Sequence, residues 1–199
     1  MTEPDPPSTA PTTSHAMSGS AGLLRRRWPA LTGLGFAVLQ VLGMASGVEQ
    51  APVLAAAAAV YLGAAALQKP SAAWPLFLAT AAVITVAKLV GDRFDGTLVV
   101  LGGGAALLVY GLLRGAIRPT HGLPLQSIAL LGFGAAAAAA LVINADLGAY
   151  LVAAGLLGHS AWDLHHYRTH RVVVRSLAEF CLVLDAALAM LIVFMTALG

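Results

Sequence analysis

Four of the six histidines of this 199-residue chain lie in one stretch, GHSAWDLHHYRTH, residues 158 to 170, in a sequence with only 10% charged residues. His159, Asp163, His166 and His170 follow one another at spacings of four, three and four. On a helix turning about 100° per residue, they project from a stripe about 60° wide, and His165 points elsewhere. Imidazole nitrogens and carboxylate oxygens at i, i+3 and i+4 can share one transition-metal ion. They can also relay protons or build a buried hydrogen-bonded network.

The next apolar run supplies further carboxylates, Glu179 and Asp185. A tight reversal near residues 170 to 172 sets Asp163 level with Glu179 and His159 near Asp185, within roughly one turn. The expected metal ligands are therefore His159, Asp163, His166 and Glu179. Asp185 and His170 stand behind them as hydrogen-bond partners that orient the ligands. The cofactor so implied is a divalent transition metal: zinc, manganese or iron. A metal-bound water there would have a lowered pKa and support hydrolysis.

These residues need helices to carry them. With 59% hydrophobic residues and repeated apolar runs, the chain reads as an all-α integral membrane protein. Crossings are expected near 29–47, 51–68, 72–90, 97–113, 125–143, 147–167 and 174–198, at about 20 residues per crossing. The second, APVLAAAAAVYLGAAAL, is the weakest because alanine is only mildly apolar. Residues 1–24, rich in Pro, Ser and Thr, read as a disordered cytoplasmic tail before a seven-helix transmembrane domain, 25–199. The apolar run after Arg25, Arg26 and Arg27 is long for a cleaved signal and reads as a retained span.

Charge sets the orientation. With the N-terminus cytoplasmic, seven crossings put nine of the eleven Lys and Arg residues inside and leave Lys88 and Arg93 outside. Glu49, Asp92, Asp95 and Asp146 fall in outer turns, and the C-terminus is external. Glycines such as those of GMASG and LGFGA are expected where helices touch, and a homo-oligomer is compatible with them. GDRFDG lacks the oxygen ligands of a calcium loop and reads as a solvated turn.

Several classes are excluded. Basic residues form no stripe, so nucleic acid is not a partner. The single cysteine, Cys181, has no intrachain partner. Membrane desaturases use histidines from several segments, whereas here the usable ones share one; the last helix has no lysine for a retinal Schiff base. The expected protein is a multi-pass protein of the inner (plasma) membrane, an enzyme that uses a metal on a lipid-soluble small molecule. The alternatives are a proton- or ion-coupled transporter, or a structural or accessory subunit.

Overall fold

The computed structural model describes residues 14–42, 44–91 and 95–198, with side chains from Arg27 onward. Among the described residues seven α-helices follow one another: α1 (Ser14–Val41), α2 (Ala51–Ala66), α3 (Ala73–Val90), α4 (Gly96–Leu113), α5 (Leu123–Ala140), α6 (Ala145–Thr169) and α7 (Arg175–Leu198). There is no strand among the described residues. Of the expected disordered tail, residues 1–13 lie outside the described residues, and α1 begins at Ser14.

Local chemistry explains the helix ends. The first helix ends six residues short of the expected boundary because Ser46 and Glu49 form a capping box, which starts a 3₁₀ turn at Gly47–Gln50 that leads into α2. Asp95, expected in a solvated outer turn, caps α4 by accepting from Thr97 N at 2.7 Å and Leu98 N at 3.2 Å. Its neighbour Asp92 lies outside the described residues. Asn144 does the same for α6 through Asp146 N, at 2.9 Å. The fifth helix stops at Ala140, three residues before its expected end, and the chain turns to reach that cap.

The alanine-rich second helix occupies the centre. Fourteen of the sixteen residues of α2 are buried, and it packs against α3, α4, α5 and α6. A helix that is apolar all round is stable where every face meets protein, and methyl side chains let four neighbours approach together. Outside this core, α7 lies between α1 and α6.

Glycines serve two of these contacts. A Cβ on Gly33 would stand 2.5 Å from the Phe180 carbonyl oxygen, so the absence of a side chain is what lets α1 meet α7. A Cβ on Gly111 would stand 2.8 Å from Leu123 and 3.0 Å from Ala66. Gly132, one of the LGFGA glycines expected at a helix contact, has open space instead, as have Gly102 and Gly103.

The outward faces carry large apolar side chains, among them Leu39, Leu89, Leu113, Leu131 and Phe194. Among the described residues five segments, Gly47–Ala66, Pro70–Val90, Gly96–Leu113, Leu123–Ala140 and Arg175–Leu198, are long and apolar enough to cross a membrane. The connections alternate between two ends. At one end Gln68 Nε2 donates to the Arg118 carbonyl at 3.2 Å, and Lys69, His121 and Val172 border the same hollow. At the other, Glu49, Lys88, Asp95 and Leu141 border a common hollow.

Candidate functional site

Three residues of the predicted stripe turn inward together. His159 and Asp163 are 0% exposed and His166 is 2% exposed, whereas the neighbouring His165 is exposed. Opposite them Asp185, 1% exposed, projects from α7. His159 Nδ1 stands 2.9 Å from Asp185 Oδ2 and 3.2 Å from Asp163 Oδ2. An ionised carboxylate only accepts, so the ring N–H is the donor in both contacts. Ser160 Oγ donates to the Leu182 carbonyl at 3.0 Å and ties the same two helices one residue further on.

A tyrosine absent from the sequence reading completes the centre. Tyr61 of α2 donates its hydroxyl to Asp163 Oδ1 at 2.5 Å, and its ring meets those of His159 and His166 edge-on. Asp163 therefore receives hydrogen bonds on both oxygens, from different helices. The signal was present: Tyr61 is the only hydrogen-bonding side chain of α2, and a buried tyrosine hydroxyl needs a partner.

His166 is held separately. Its Nδ1 lies 2.9 Å from the Trp162 carbonyl and must donate, which leaves Nε2 to accept from the Gln126 amide at 3.2 Å. Gln126 is 0% exposed and also accepts from Trp162 Nε1 at 3.2 Å, so it too is a site-building residue that sequence reasoning missed. A single glutamine near the start of an apolar helix, two residues after a proline, was the available clue.

The expected pairing of Asp163 with Glu179 does not form. Residues 179 and 185 are six apart and differ in direction by about 120° on a helix. With Asp185 turned to His159, Glu179 faces α1 and accepts from Arg27 Nη1 at 3.0 Å. His170 also leaves the stripe. It ends α6 in the left-handed region, φ 56°, exposed, with its N–H on the His166 carbonyl at 2.8 Å. The 3.6-residue periodicity that put it on the inner face stops one residue earlier.

The residues that do converge are His159, Asp163 and Asp185. One donor atom from each lies within 4.8 Å of the others, a spacing that three ligands of one cation can adopt. His159 Nε2 is buried and has no hydrogen-bond partner among the described residues.

Fold and site together define an all-helical protein with membrane-compatible helices and a buried tyrosine, histidine and aspartate centre. Comparison with protein-family models, curated proteins and solved structures found no match to this chain.

Proposed function

We propose that this chain is a multi-pass protein of the inner (plasma) membrane, crossing it seven times with its N-terminus cytoplasmic and its C-terminus external. The positive-inside rule supports that orientation, because Arg27, Lys69 and Arg118 lie at one end of the bundle. In this reading the protein is an enzyme that holds a divalent transition metal with His159, Asp163 and Asp185 and acts on a lipid-soluble molecule. The observation that carries it is the convergence of one nitrogen and two carboxylate donors inside 4.8 Å, away from water, at a point where Asp185 also borders an apolar cleft. His166 and Glu179 remain outside the ligand set, since their polar atoms are committed to Gln126, Trp162 and Arg27.

Metal analysis tests this. Purified protein should carry about one zinc, manganese or iron per chain and lose thermal stability on chelation. Asp163→Asn and Asp185→Asn should bind less metal, and Glu179→Gln should not. Metal-free protein whose stability ignores chelator and added metal ends the enzyme reading.

One observation favours a second reading, a proton-coupled transporter. Tyr61, Asp163, His159 and Asp185 form a continuous hydrogen-bonded chain across α2, α6 and α7. Proton uptake by proteoliposomes in response to a pH gradient, abolished by Asp163→Asn, would establish it.

A further inference from the structure

Asp185 has a second environment besides His159. A cavity of about 550 Å³, counted to its mouth, lies between α1 and α3 and is floored by α2 and α7. Asp185 lines it together with Cys181, one turn earlier on the same face of α7. Val53, Ala56 and Val60 make the floor, while Phe36, Gln40 and Thr80 stand near the partly exposed rim. Because α1 and α3 present apolar faces on either side, the mouth opens toward lipid in the membrane reading.

The polar groups of this cleft share one property. Thr80 spends its hydroxyl proton on the Phe77 carbonyl at 2.9 Å, and Thr85 spends its own on the Ala81 carbonyl at 2.8 Å. The Gln40 amide donates to Gln50 Oε1 at 3.2 Å. What the two threonines and Asp185 offer the cleft are acceptor oxygens, and among the described residues no lysine or arginine lines it. An anionic head would face the Asp185 carboxylate with no lysine or arginine among the lining residues to offset it, and desolvating it would be costly. A hydroxyl or amino head would find acceptors, among them the carboxylate of Asp185, which is 1% exposed.

We infer that the cleft between α1 and α3 binds a lipid-soluble alcohol or amine, which enters from the membrane with its head directed at Asp185. The inference rests on the proposed function for the membrane setting and deepens it by naming the substrate class.

Cys181, the only cysteine of the chain, is a built-in reporter of occupancy. The full chain in phosphatidylcholine vesicles is labelled with N-ethylmaleimide, alone and with decan-1-ol, decylamine or decanoate. Labelling should proceed without added ligand. It should slow by about tenfold once the alcohol or amine reaches about nine times its Kd, and stay unchanged with decanoate. Protection by decanol alone or decylamine alone assigns the head as hydroxyl or amine. Thr80→Trp should slow labelling by filling the mouth, and Asp185→Leu should label normally but lose protection. If Asp185→Leu does not fold, the contrast between decanol and decanoate on the unaltered protein decides. An unlabelled cysteine, equal protection by decanoate, or no protection by either donor overturns the inference. Metal content of the same samples reports on the enzyme reading alone, so protection without metal and metal without protection are distinct results.

Discussion

Tyr61 and Asp163, 102 positions apart in the chain, are joined by a hydrogen bond of 2.5 Å between the central helix and the histidine-rich one. The bond turns a run of alanines into a support for the polar centre. Tyr61→Phe should therefore cost more than its single oxygen suggests, because it leaves a buried carboxylate oxygen without a donor. A loss of about 1–3 kcal/mol is expected. Thermal or denaturant unfolding in detergent would measure it, and a stability equal to that of the unaltered protein would refute the contact.

His165 and His166 are adjacent but differ in direction by about 100°, and only His166 is buried. His165→Ala, at an exposed position, should change stability by no more than about 0.5 kcal/mol. His166→Ala leaves one N–H of the Gln126 amide without its acceptor, the other donating to the His121 carbonyl, and empties space beside Tyr61, which should cost about 1–3 kcal/mol. Equal tolerance of both would mean that the histidines serve the membrane surface and not the bundle interior.

Asp163→Asn keeps the shape of the side chain and removes its charge beside His159 and Tyr61. Losing one partner of a buried charged network typically costs about 3–5 kcal/mol. Glu179→Gln should be far milder, since that carboxylate meets an exposed arginine at the rim of the bundle. A side-by-side melting experiment on the two variants would separate the centre from the rim, and a larger loss for Glu179→Gln would reverse the assignment.

Gly33→Leu should disturb the seam between α1 and α7, because its Cβ would press on backbone and not on a flexible side chain. Overpacking of this kind costs roughly 1–3 kcal/mol. Gly102→Leu, with open space around it, is the matched control and should be tolerated. Protease resistance of the two variants in detergent would show the difference.

Reporter fusions after residues 69, 118 and 171 should read cytoplasmic, and fusions after 49, 145 and 199 external, as the distribution of basic residues requires. A cytoplasmic reading at 199 would remove one crossing from the proposed topology.

Periodicity alone was sufficient to find the helices and the inward stripe of His159, Asp163 and His166, because hydrophobic spacing and a 3.6-residue repeat are local properties of the chain. The level of His159 with Asp185 was also legible, since a short turn between antiparallel helices couples their depths. Direction around α7 was not legible. Depth placed Glu179 beside Asp163, but the rotation of α7 is set by its packing with α1, where Gly33 admits Phe180 and Arg27 waits for Glu179. The same limit hid Tyr61 and Gln126. Each is a lone polar residue on an apolar helix, and only the burial of α2 and the approach of α5 to α6 reveal which partner satisfies it. The sequence by itself determined which residues could do chemistry; tertiary packing decided which of them meet, because rotation and neighbour choice are set by contacts between segments far apart in the chain.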